Sequence, residues 1–267
     1  MQKKILLTGA TDGIGLETEK ILVSQGHQVL LHGRNAAKLA EVEKTLSGMG
    51  TTGQVESYVA DLSKLEEVEA LAKAVADKHA QLDVLINNAG VLKTPEPITA
   101  DGLDVRFVVN TFAPFVLTQR LMSLLDHSSR VVNVSSAAQS PVDLDLLAGK
   151  TSTLDDFSAY AQSKLALNMW TNELVRRLGE EGPMIVSVIP GSFLASKLVK
   201  EGFGMEGKVL GFGADIVMRA ALSDEFETAS GLYFDNDSGQ FADPHPDGLN
   251  PQKCAAVVAA IEAICKI

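Results

Sequence analysis

Short apolar runs recur along this chain at intervals that leave room for a helix between them. They are Lys4–Leu7, Gln28–Leu31, Val55–Ala60, Asp83–Ile86, Arg130–Val134, Ile185–Ile189 and Leu232–Phe234. Most are continuously apolar rather than alternating, as in strands covered on both faces of a parallel sheet. Segments of helical spacing lie between them, including Ile14–Ser24, Ala37–Leu46, Leu65–His79, Val105–Leu125, Ala159–Leu178 and Ala214–Leu222. The alternation predicts an α/β fold, a doubly wound parallel sheet of about seven strands with helices on both faces and right-handed crossovers. No linker, charge block or internal repeat interrupts it, so residues 1–267 are expected to form one domain.

Ligands of such sheets bind beyond the carboxyl ends of the strands. The polar and glycine residues of this chain gather there. Gly9 follows the first strand, Arg34 the second, Asp61 the third, Asn87 to Gly90 the fourth, Ser135 and Ser136 the fifth, and Pro190-Gly191 the sixth. Thr8 to Gly15 reads T-G-A-T-D-G-I-G between an apolar run and a helical segment. Glycines let the main chain approach a ligand closely, and the helix start offers N–H groups and a positive end to a phosphate. The spacing G-x-x-x-G-x-G differs from the common dinucleotide fingerprint and lacks the lysine of a P-loop.

Composition narrows the field. A hydrophobic content of 46% supports a large core, and a formal net charge of −11 argues against nucleic acid as a partner. The apolar run in Met1–Leu7 is too short for a signal peptide. The longest apolar region, Cys254–Ile264, contains Glu262 and is too short to span a bilayer. Cys254 and Cys265, if joined by helix, stand roughly 16 Å apart. A disulfide tolerates at most about 7 Å. Free thiols, no membrane span and a cytoplasmic location are therefore expected.

Tyr160 and Lys164 are four residues apart in a helical segment and so share one face. A free phenol, with a pKa near 10, is too weak an acid for efficient proton transfer at neutral pH. A neighbouring ammonium lowers that value toward the useful range. The motif alone is common. Its conjunction with Thr8–Gly15, Asp61, Asn87-Asn88-Ala89-Gly90, Asn110, Val134-Ser135-Ser136 and Pro190-Gly191, in that order, is not. With these motifs the chain resembles the short-chain dehydrogenase/reductase family, and the extra segment Ser140–Ser158, with Asp143, Asp145, Asp155 and Asp156, resembles that of its retinol dehydrogenase, carbonyl reductase and protochlorophyllide reductase branch. The likeness runs from the first strand to about residue 200.

That resemblance implies a single NAD(P)-binding Rossmann domain and a catalytic set of Asn110, Ser136, Tyr160 and Lys164. Tyr160 would exchange a proton with the carbonyl or alcohol oxygen. Lys164 would lower the Tyr160 pKa and hold the nicotinamide ribose. Ser136, or Ser135 beside it, would bond the reacting oxygen, and Asn110 would hold a water in a relay through Lys164. The implied cofactor contacts are Gly9, Thr11, Asp12, Gly13, Ile14, Gly15, Arg34, Asn35, Asp61, Leu62, Asn88, Ala89, Gly90, Pro190, Gly191 and Ser196, besides Tyr160 and Lys164. The alternative expectation for Asp61 is an N-cap for the helix that follows, and both roles could hold at once.

Charge bears on the choice of cofactor. His32-Gly33-Arg34-Asn35 after the second strand has no carboxylate for a ribose 2′-hydroxyl, and a guanidinium suits a 2′-phosphate. NADP(H) is expected over NAD(H), although Asp12 cuts the other way. Two departures from the family pattern stand out. The segment 140–158 is longer than usual and could cover a face used for dimerisation, which leaves monomer and homo-oligomer open. Ala195 occupies a position where threonine is expected, with Ser196 one place later. The region 191–213, with Phe203, Met205 and Phe212, reads as a substrate loop or as plain loop packing. Its apolar character suits a lipophilic or aromatic carbonyl.

Other constellations fail. Asp235 to Gly239 opens like a calcium loop, but Pro246 stands where a bidentate Glu is needed. The five histidines, His27, His32, His79, His127 and His245, lack metal-ligand spacing and are expected at helix ends and on the surface. The sequence thus reads as an oxidoreductase moving hydride between NADP(H) and a carbonyl/alcohol pair, with no metal. The alternative is a non-catalytic NADP(H)-sensing or regulatory protein.

Overall fold

A computed structural model describes residues 1–152, 155–192, 194 and 209–267. The sheet contains β1 (Lys4–Thr8), β2 (Gln28–Gly33), β3 (Gln54–Val59), β4 (Val84–Asn87), β5 (Arg130–Val134), β6 (Met184–Ile189), β7 (Tyr233–Asp235) and β8 (Gln240–Ala242). Its order is β3-β2-β1-β4-β5-β6-β7-β8. Neighbours pair in parallel except β7 and β8, which form an antiparallel edge. The sheet has eight strands rather than about seven because β8, exposed at all three residues, carries no apolar run to announce it.

The period of two along each strand divides the core. Leu6, Leu30, Leu85, Val131 and Ile185 face one helical layer, whereas Ile5, Leu7, Val29, Val84, Ile86, Val132 and Val186 face the other. α1 (Gly13–Ser24), α2 (Ala36–Ser47) and α8 (Leu210–Leu222) contribute Leu22, Leu39, Ile216 and Val217 to the second face. α3 (Leu65–Lys78), α5 (Ala113–Arg120), α7 (Asp156–Leu178) and α9 (Pro251–Cys265) cover the first. Helix α4 (Val105–Phe107) runs through a π-helical segment, Val108–Phe112, into α5. A short helix, α6 (Leu144–Leu147), lies in the 140–158 segment, where Asp143 caps it and Gln162 accepts the Asp143 N–H at 2.9 Å.

Two features fix the helix that carries the tyrosine. Asp155 accepts the N–H groups of Phe157 and Ser158 at the start of α7, satisfying donors that helix geometry leaves free. Arg106, fully buried, pairs with Asp104 and with Asp156 on α7, so α4 is riveted to that same helix end. From Ala159 through Thr171 every residue of α7 is buried. Among the described residues, no helix is long and apolar enough to cross a membrane. Both cysteines are free.

Candidate active site

The order of the sheet reverses between β1 and β4, and the crevice opens at the carboxyl ends of those two strands. The turn after β1 is built for close approach. Gly9 has φ +74°, and a Cβ there would lie 2.9 Å from Ala89 Cα. A Cβ on Gly15 would lie only 2.2 Å from the Gly9 carbonyl oxygen. Asp12 caps the first N–H of α1, that of Gly13, at 2.7 Å. The remaining first-turn donors have no intrahelical acceptors, which is the cradle an anionic group requires. The glycine turn therefore fits a dinucleotide pyrophosphate.

The crevice walls are stitched together by contacts among these groups that the sequence does not reveal. Thr8 Oγ1 accepts the N–H groups of Asn88 at 3.0 Å and Ala89 at 3.1 Å. Asn88 Nδ2 returns bonds to the carbonyls of Thr8 and Gly9 at 2.9 and 3.2 Å. Its amide thus supports the glycine turn from beneath. His32 is 3% exposed, not at the surface as expected, because it sits on the apolar strand β2. Its Nδ1 accepts the Gly9 N–H at 3.3 Å, so the ring proton is on Nε2, which donates to the Ala60 carbonyl at 3.0 Å. Burial pushes the His32 pKa down to about 4. His79, expected at a helix end, is there but buried too.

Arg34 and Asn35 follow β2 on the exposed rim. Arg34 pairs with no carboxylate among the described residues, while Asn35 caps α2 through Lys38 N–H at 3.0 Å. Thr11 lies against Gly33, its Cγ2 2.7 Å from where a Cβ there would be. Asp61 does not cap α3: Lys64 holds that position, and Asp61 Oδ1 instead accepts from Ser63 N and Oγ at 3.0 and 2.8 Å. Leu62 is buried.

Tyr160, Lys164 and Ser136 converge on the end of β5. Tyr160 is 7% exposed and Lys164 4%. The ammonium of Lys164 lies 5.8 Å from the Tyr160 ring centroid and donates to the Val134 carbonyl at 2.7 Å. Loss of hydration brings the Lys164 pKa down to about 8. Burial likewise raises the Tyr160 pKa, and a hydrogen bond from Ser136 opposes that rise. Desolvation is the largest influence on the phenol in this structure. Ser136 is the serine that reaches Tyr160, whereas Ser135 Oγ is buried without a partner.

Asn110 lies in the π-helical segment, which turns its amide toward Val91 and α7. Its Oδ1 accepts Val91 N–H at 2.8 Å, and its Nδ2 donates to Val91 O and Ser163 Oγ, each at 2.9 Å. Asn110 and Lys164 both border Gly90, whose Cβ position would stand 3.5 Å from Asn110 Oδ1 and 3.7 Å from Lys164 Nζ. Pro190 and Gly191 close the site beyond β6, and Asn236 Nδ2 donates to the carbonyls of Pro190 and Phe212 at 3.0 and 3.1 Å. Ser196, Ala195, Phe203 and Met205 lie outside the described residues.

A model of the short chain dehydrogenase family matches residues 3–206. The chain belongs to the short-chain dehydrogenase/reductase family. Retinol dehydrogenase 13 of Homo sapiens is a relative at 32% identity over 87% of this chain and 76% of its own. An uncharacterised protein from Mycobacterium paratuberculosis shares the fold with a TM-score of 0.82 at 29% identity, covering 99% of this chain and 94% of that one. The angucycline C-6 ketoreductase LanV, solved with bound NADP, gives a TM-score of 0.67 at 28% identity over 88% and 93%. This short-chain dehydrogenase is accordingly an NAD(P)-dependent oxidoreductase acting on a CH–OH/C=O group.

Proposed function

We propose that the enzyme is an NADP(H)-dependent carbonyl reductase or alcohol dehydrogenase in which Tyr160 is the general acid and base. The observation that carries this reading is the buried phenol of Tyr160, bonded by Ser136, with the Lys164 ammonium one helical turn away. Burial keeps the phenol protonated at neutral pH, the form needed to donate to a carbonyl oxygen as it becomes an alkoxide. Ser136 holds its hydroxyl where it both steadies Tyr160 and can bond the same oxygen. Lys164 supplies positive charge when the phenol gives up its proton, and its position beside Gly90 suits a hold on ribose hydroxyls. Asn110 keeps one acceptor lone pair on Oδ1 beside the same wall, suited to a relay water.

The nicotinamide supplies the hydride. Gly9, Gly13, Ile14 and Gly15 would hold the pyrophosphate, with Thr11 and Asp12 on the turn between. Leu62 and Asp61 would border the adenine, and Asn88, Ala89 and Gly90 the ribose side of the crevice. Pro190, Gly191 and Ser196 would meet the nicotinamide end. Arg34, exposed and without a carboxylate partner among the described residues, favours the 2′-phosphate of NADP(H), and the NADP complex of LanV lends support. Asp12 does not oppose this strongly, since its carboxylate is engaged by Gly13. The relatives named for retinol and for an angucycline ketone favour a lipophilic or polycyclic carbonyl/alcohol pair. Two unpaired cysteines favour a reducing compartment such as the cytoplasm.

Tyr160→Phe is the direct test. NADPH binding, followed by its fluorescence, is expected to persist nearly unchanged, while turnover falls at least about 100-fold. Unchanged turnover would remove Tyr160 from the chemistry.

A further inference from the structure

Ser136 lies just where β5 leaves the sheet. The N–H of Ser135 still bonds Val188 O at 2.8 Å, and the paired register ends one residue earlier. Beyond that rung the peptide of Ser136 is held by side chains. Its carbonyl accepts the hydroxyl of Tyr233 at 3.0 Å and Nε2 of Gln139 at 3.1 Å. The same Nε2 donates to the Tyr233 oxygen at 2.6 Å, closing a triangle. Gln139 Oε1 accepts the N–H of His245 at 3.0 Å, which ties the triangle to the turn before α9. Meanwhile Ser136 Oγ accepts the Ala138 N–H at 3.1 Å, leaving its own proton for Tyr160.

Tyr233 is a second buried phenol beside the site, yet it cannot act as a second acid. Its one proton is committed to a backbone carbonyl, and burial with Asp235 nearby pushes its pKa further up. Its position on β7 is fixed by pairing with Ser187. A phenol and an amide, both anchored elsewhere, therefore set the peptide plane from which the Ser136 hydroxyl projects.

We propose that Tyr233 and Gln139 are positioning residues that clamp the Ser136 carbonyl and so aim its hydroxyl at Tyr160. This rests on the proton-transfer reading above. Without the clamp Ser136 drifts off the phenol, Tyr160 loses a donor that favours its ionised form, and its ionisation moves to higher pH.

The chain has three tyrosines, so pairwise removal leaves each phenol alone. Biosynthetic fluorotyrosine with fluorine NMR gives the ionisation midpoints in Y58F, Y58F/Y160F, Y58F/Y233F and Y58F/Q139L proteins. Y58F/Y160F reports Tyr233 and so assigns the Tyr160 resonance in Y58F. The clamp predicts a rise of about one pH unit in the Tyr160 midpoint in both Y58F/Y233F and Y58F/Q139L. It also predicts about a tenfold fall in kcat for Y233F with the KM for NADPH unchanged. A Tyr160 midpoint that stays put in either variant overturns the clamp. Should the Y233F protein not fold, Q139L decides alone. The titration needs neither cofactor nor turnover, so it stands apart from the Tyr160→Phe test.

Discussion

Acidification should strike this enzyme first at His32. Its Nδ1 must stay unprotonated to accept the Gly9 N–H, and its pKa falls from the ordinary 6.5 to about 4 on folding. A folded pKa below the unfolded value means that the neutral ring stabilises the fold. That contribution is complete above pH 6.5 and is lost as pH falls toward 4. A depression of about 2.5 pH units, at about 1.36 kcal/mol each, corresponds to about 3 kcal/mol in all. About 2 kcal/mol of it is gone by pH 5. Urea unfolding of the natural chain and His32→Gln, measured from pH 7.5 to pH 4.5, isolates this contribution, because the carboxylates common to both cancel in the difference. The stability gap should be flat near neutrality and shrink below pH 6.5, with NADPH affinity weakening over the same range. A gap independent of pH would refute the assignment of a neutral, Gly9-bonded imidazole.

Three other outcomes follow from the same geometry. Arg34→Ala should weaken NADPH far more than NADH in parallel fluorescence titrations, and equal weakening would overturn the 2′-phosphate assignment. Gly15→Ala places a methyl 2.2 Å from the Gly9 carbonyl oxygen, so the turn must shift. The expected cost is about 1–3 kcal/mol in urea unfolding, together with loss of NADPH binding, and an unaltered protein would contradict the close approach. Arg106→Met strands the buried carboxylate of Asp104 and frees the start of α7. A loss of about 3–5 kcal/mol in stability is expected, and a loss under 1 kcal/mol would show that the pair is not buried.

The strands were legible because the parallel sheet demands unbroken apolar runs, and β5 spans the residues read from the sequence, Arg130–Val134. Most of the motifs that mark the crevice were legible for the same local reason, since they lie at strand ends, whereas Asn110, Tyr160 and Lys164 lie within helical segments. What escaped depends on partners distant in sequence. His32 looks like any polar residue near a strand end until Ala60 and Gly9 are brought to its two nitrogens. Thr8 joins β1 to the β4 loop 80 residues away. Tyr233 and Gln139 meet only through the pairing of β6 with β7. Even Asn110, placed correctly in a helical segment, gave no sign of the π-helical turn that aims it. The expectation for Asp61 as a cap failed because Ser63, two residues on, captures the carboxylate first.

The two hydrogen bonds that Asn236 donates to the carbonyls of Pro190 and Phe212 bear on how such an enzyme can diversify. One buried amide fixes both the departure and the return of the intervening stretch. Insertions, deletions or new side chains between those anchor points can therefore accumulate with little disturbance to the sheet behind them. Preference among alcohols and ketones could evolve there while the hydride-transfer geometry is inherited unchanged.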